Sequence, residues 1–158
     1  MKKGIISIVS AIAGVATGAG VTAKQITKET KRQKELADKH LSLYLMMNQW
    51  VKVKQENKSI ADYLEKNGYR EIAIYGMNYV GETLLNELAG SGVKVKYAID
   101  RNADNIYTDV DIVAPDASME KVDAVIVTPI TFFDEIEKML SEKTDCPILS
   151  MEDILYEV

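Results

Sequence analysis

The chain has 158 residues, a net charge of −5, one cysteine and one histidine. That length holds one compact domain with an appendage, and a single Cys146 beside a single His40 excludes an internal disulfide and a Cys/His zinc site. Charge is divided unevenly: residues 1–68 hold 12 Lys and Arg against 6 Asp and Glu, and residues 69–158 hold 7 against 18, so the C-terminal part repels phosphate backbones and nucleic acid is not an expected partner.

Gly4–Ala23 carries no charge. About 20 residues is the length that crosses the hydrocarbon core of a bilayer. Residues 1–23 are therefore expected to form a transmembrane or membrane-associated helix. Lys24, Lys28, Lys31, Arg32 and Lys34 follow at once, which favours a membrane anchor with the C-terminal domain in the cytoplasm. The competing reading is a cleaved secretory signal, with Lys2-Lys3 as its basic start and Val21-Thr22-Ala23 as its small-residue site. Ser10, Gly14 and Gly18 share one helix face and would let two such helices approach closely.

Residues 24–57 lack Pro and Gly and are rich in good helix formers, so they read as a helical arm. Leu36, Leu43 and Trp50 recur every seven residues, with Leu41, Tyr44, Met47 and Val51 widening the stripe. A stripe this wide packs on the chain's own domain or on a second copy, so a homo-oligomer through the arm is an expected association. A shorter helix follows, started by a Ser59 cap and stopped at Asn67-Gly68.

Residues 58–158 alternate strand and helix. Glu71–Tyr75 is the first strand, and the helix Tyr79–Ala89 comes after it. Val93–Ile99 is the second strand and Val110–Val113 a short third. Val122–Thr128 is a nearly continuous apolar fourth strand of the kind that parallel sheets bury. Thr131, with Asp134 three residues on, is expected to cap the next helix, which runs to about Glu142. Ile148–Ser150 is the last strand, before a final helical turn. The fold class is α/β: a small doubly wound, Rossmann-like parallel sheet of order 3-2-1-4-5. The stretch Asp104–Lys121 is too short for a full crossover helix.

The chemistry-bearing pattern is Gly76-Met77-Asn78-Tyr79-Val80-Gly81 after the first strand, with Asp100 ending the second. In dinucleotide-binding folds the acidic residue lies about 20 positions past the glycines and accepts from ribose. The expected crevice is lined by Gly76, Met77, Asn78, Tyr79, Gly81, Asp100, Arg101, Thr128 and Pro129. Gly76 makes the turn, the helix N-terminus offers N–H groups to phosphate, Gly81 allows close packing, and Arg101 is placed to meet a 2′-phosphate. Asn78 stands where the fingerprint has its second glycine, which counts against a dinucleotide more than against a mononucleotide or nucleotide-sugar. No Tyr-x-x-x-Lys pair, Walker A loop or Gly-x-Ser-x-Gly elbow is present, so no catalytic residue and no metal ligand is expected.

The runs GYREIAIYGMNYVGETLLNEL, VKYAIDRNAD, VDAVIVTPITFFDEI and CPILSMEDILYEV resemble the small Rossmann-like domains of bacterial surface-polysaccharide and glycan-modification systems. The resemblance spans roughly residues 58–158 and implies a nucleotide or nucleotide-sugar ligand, with NAD(P) as a further cofactor class. Gly76, Gly81 and Asp100 match its ligand-side positions; Asn78 does not. It implies an accessory module of glycan assembly. Two alternatives stand beside it: an interaction or scaffold protein that binds no ligand, and a small NAD(P)-dependent oxidoreductase or epimerase-like enzyme.

Overall fold

The computed structural model describes residues 26–158 in full and, before them, only the backbone of the first helix. Helix α1 (Lys2–Gln55) is followed by α2 (Ile60–Lys66), β1 (Glu71–Tyr75), α3 (Tyr79–Leu88), β2 (Lys94–Ile99), β3 (Asp111–Val113), β4 (Ala124–Val127), α4 (Phe133–Ser141), β5 (Ile148–Ser150) and α5 (Met151–Glu157). The chain forms two compact units, Met1–Ser42 and Leu43–Val158. The last turns of the arm therefore belong to the globular unit. Among the described residues no helix is long and apolar enough to cross a membrane. The expected anchor at 1–23, with its Ser10, Gly14 and Gly18 face, lies outside the described residues.

Within the first unit the described part of α1 is solvated. Its charges pair one turn apart, Lys31 with Glu35 at 3.7 Å and Arg32 with Glu29 at 4.0 Å. Both pairs are exposed and contribute little stability.

The second unit is built on five parallel strands in the order β3-β2-β1-β4-β5, as the alternation of elements predicts. Side chains along each strand alternate between faces. Ile72, Ile74, Ala98, Ala124 and Ile126 join one cluster with α2, α3, α5 and the Met46, Trp50 and Val53 side of α1. Ala73, Tyr75, Tyr97, Ile99, Val125 and Val127 join the other with Ile136 and Leu140 of α4. Trp50 is thus a core residue of the domain, and its indole N–H donates to Glu87 Oε2 at 2.5 Å. Glu87 also takes Lys54 Nζ at 3.0 Å and the backbone N–H of Ile60 at 3.4 Å, tying α1, α2 and α3 together. Leu43, Tyr44 and Val51 remain exposed.

Two local expectations differ in outcome. Ser59 caps α2 as the sequence predicts, accepting from Asp62 N. Thr131 does not cap α4: a 3-10 turn at Ile130–Phe132 comes first, Phe132 takes the cap position, and no side chain bonds the helix end. Pro129, with φ −77° and ψ 70°, lies before that turn, and the chain tightens after it before the helix can start.

Candidate functional site

Open α/β sheets bind ligands beyond the carboxyl ends of the strands, where the strand order reverses. Here that point lies between β1 and β4. Gly76 leaves β1 at φ +91°, a backbone conformation costly for any side chain. A Cβ there would also lie 2.7 Å from Pro129 Cγ and 2.8 Å from Thr128 Oγ1. Gly81 is required by contact rather than by dihedral angle: a Cβ would sit 2.2 Å from the Gly76 carbonyl oxygen. The two glycines let α3 start directly against the turn.

The polar groups of the turn are satisfied from within. Asn78 Oδ1 accepts from Val80 N at 2.9 Å and from Gly81 N at 3.3 Å, so the side chain caps α3. The expectation that the N-terminus of this helix offers free N–H groups to phosphate is corrected at these two donors. Asn is among the strongest N-cap residues, and its amide oxygen fills the position a phosphate oxygen would take. Asp100 accepts from Met77 N and from Asn102 N, each at 2.8 Å, and so fixes the loops after β1 and β2. Thr128 is buried, its hydroxyl donating to Gly76 O at 2.7 Å with Tyr75 O at 3.1 Å.

A cleft of about 260 Å³ opens above this framework. It brings together Gly76, Asn78, Asp100, Arg101 and Pro129 of the expected set. Met77, Gly81 and Thr128 are buried behind it, and Tyr79 is exposed outside it. Four further wall residues were not anticipated: Tyr75, Phe132, Glu135 and Ile136. Strand alternation carries the signal for Tyr75, which shares a face with Ala73; the α4 residues follow β4, the other flank of the switch point. Tyr75 is buried, and its hydroxyl has no hydrogen-bond partner among the described residues. A larger groove of about 690 Å³ runs along α3 beside residues 106–110. It lies where a crossover helix from β2 to β3 would pack and does not reach the switch point, so the smaller cleft is the candidate site.

The groups whose titration is shifted serve the fold. Asp123, at the opposite end of the sheet, accepts from Glu71 N at 2.8 Å and Arg70 N at 2.9 Å, and these bonds hold its carboxyl below the usual range. Burial, and then its hydrogen bond to Glu157, push the Tyr63 phenol up to about 12. Among the described residues no cluster of His, Cys, Asp and Glu could hold a metal ion. Comparison with family models, curated proteins and solved structures returns no match.

Proposed function

We propose that this chain is a membrane-anchored, non-catalytic Rossmann-like module that binds a nucleotide or nucleotide-sugar and serves as an accessory component of bacterial glycan assembly, its domain facing the cytoplasm. The observation that carries the reading is the cleft at the β1/β4 switch point, bordered by Asn78, Asp100 and Arg101. Its wall residues include carboxylates and one guanidinium but no nucleophile paired with a base, which supports binding without turnover. The test is a thermal-shift series on the full chain in detergent with UDP-sugars, AMP, NAD and NADP. A ligand that binds only the folded chain raises its melting temperature by mass action. A rise with a UDP-sugar or AMP is expected, and a flat response to all four sinks the reading.

Two observations favour the scaffold reading as an alternative. Asn78, Asp100 and Thr128 already have internal partners, and Leu43, Tyr44 and Val51 leave apolar surface on α1. In that reading the cleft stays empty and the arm is the working surface. The NAD(P)-dependent enzyme has the least support, because the Asn78 amide stands in the pyrophosphate position.

A further inference from the structure

A phosphate-binding turn works through backbone N–H groups left open at a helix start. In this chain the N–H groups of Met77, Val80 and Gly81 all point at internal oxygens, those of Asp100 and Asn78. An incoming phosphate would have to displace the Asn78 amide and sit beside the Asp100 carboxylate. Glu135 adds a second carboxylate to the cleft wall, against Arg101 as its cation. The surrounding domain is strongly acidic. Like charge in a partly enclosed space repels an anion.

The same groups suit a neutral donor. Each Asp100 oxygen accepts one backbone N–H, and a carboxylate has about four acceptor sites, so lone pairs remain for hydroxyls. With Oδ1 of Asn78 engaged in the cap, its amide offers the cleft two N–H donors. Phe132 is 47% exposed and gives the cleft an aromatic wall. Tyr75 also lines the cleft, and its buried hydroxyl has no hydrogen-bond partner among the described residues. At about 260 Å³ the cleft lies below the usual range for drug-sized ligands, about 300–1,000 Å³, which matches one sugar ring better than a dinucleotide.

We propose that the cleft reads the uncharged diol of a single sugar ring, with Asp100 and Glu135 accepting its hydroxyls and the Asn78 cap excluding phosphate. This rests on the nucleotide or nucleotide-sugar reading above and states which end of the ligand is held: a ribose or a hexose enters, and the phosphates stay in solvent. The two sources of the ring are separated by the choice of probes. Isothermal titration of the full chain in detergent compares uridine with UMP, adenosine with AMP, and glucose with UDP-glucose.

The expected result is that at least one neutral compound binds the wild type, and that its phosphorylated partner binds within about threefold of it. Asn78→Gly keeps an accepted cap residue while reopening Val80 N–H and Gly81 N–H. It should tighten the phosphorylated partner by about tenfold or more relative to the neutral compound. Asp100→Asn should weaken both members of the pair, and circular dichroism checks that each variant folds. If the wild type binds the phosphorylated member about tenfold tighter than the neutral one, the exclusion is wrong while the nucleotide reading survives. If no compound of any pair binds the wild type, the inference falls together with that reading.

Discussion

The two faces of the sheet are covered by unequal amounts of structure. One face lies under α2, α3, α5 and the end of α1, in a cluster of 19 buried residues. The other carries 9, with α4 as its helix. Burial of apolar area is the main favourable term in folding, so the first face supplies most of the stability. The thin face holds the Tyr75 hydroxyl, which has no partner among the described residues, and supplies the Ile136 wall of the cleft. The larger cluster thus lies on the face away from the Ile136 wall, and the cleft opens at the strand ends beside the glycine turn.

The largest effect is expected at that turn. Gly81→Ala drives a Cβ into the Gly76 carbonyl oxygen, a backbone atom that can retreat only if α3 leaves β1. Overpacking of this kind costs about 1–3 kcal/mol and more where backbone must move, so urea unfolding should show a loss of about 3 kcal/mol or more. A wild-type midpoint would mean that the turn is looser than the contact distances imply.

Next come paired truncations, one on each face. Trp50→Ala removes an indole only 3% exposed and its bond to Glu87, and should cost about 3–5 kcal/mol. Leu140→Ala on the thin face should cost about 2–5 kcal/mol, with the damage confined to α4. Hydrogen exchange distinguishes the two: the first variant should lower protection across the whole sheet, the second mainly in Phe133–Ser141. Equal, global loss in both would remove the distinction between the faces.

Tyr75→Phe tests the thin face in the opposite direction. Removing a buried hydroxyl with no partner among the described residues should stabilise the unliganded chain by about 1 kcal/mol. Destabilisation would show that the hydroxyl is satisfied in solution.

The smallest effects are expected in pH. The Asp123 carboxyl titrates lower in the folded chain than in the unfolded one, because Glu71 and Arg70 N–H groups hold its charged form. Its contribution is present above the unfolded carboxylate pKa and is lost as pH falls through the folded value. Asp123→Asn should flatten the acid limb of the stability curve. Tyr63 behaves oppositely. Its contribution is complete below the ordinary value of 10.0 and is lost as pH rises through about 12, so Tyr63→Phe should flatten the alkaline limb. Unchanged limbs in both variants would place the titrating groups elsewhere.

Much of the fold was legible because its signals are local. β-branched runs ending at Gly76, Asp100 and Thr128 mark strand ends within a residue or two, and alternation of strand and helix leaves few topologies for a parallel sheet. Ser59 and Gly68 punctuate α2 by side-chain and backbone chemistry that acts within four residues. The α4 start was misread because a Thr-x-x-Asp pattern caps a helix only if the backbone before it is extended, and the 3-10 turn after Pro129 denies that geometry.

By itself, the sequence determined the α/β class, the strand order, the glycine turn and the acidic residue at the end of β2. Each of these follows from periodicity or from a constraint between near neighbours. The tertiary structure alone decided which partners the polar groups take. Asn78 turns inward onto its own helix, Asp100 holds two loops, Trp50 enters the core beside Glu87, and Tyr75 reaches the cleft from beneath. A hydrogen bond or a packing contact between residues 23 or 37 positions apart is set by where the strands and helices bring them, and no local pattern encodes that distance.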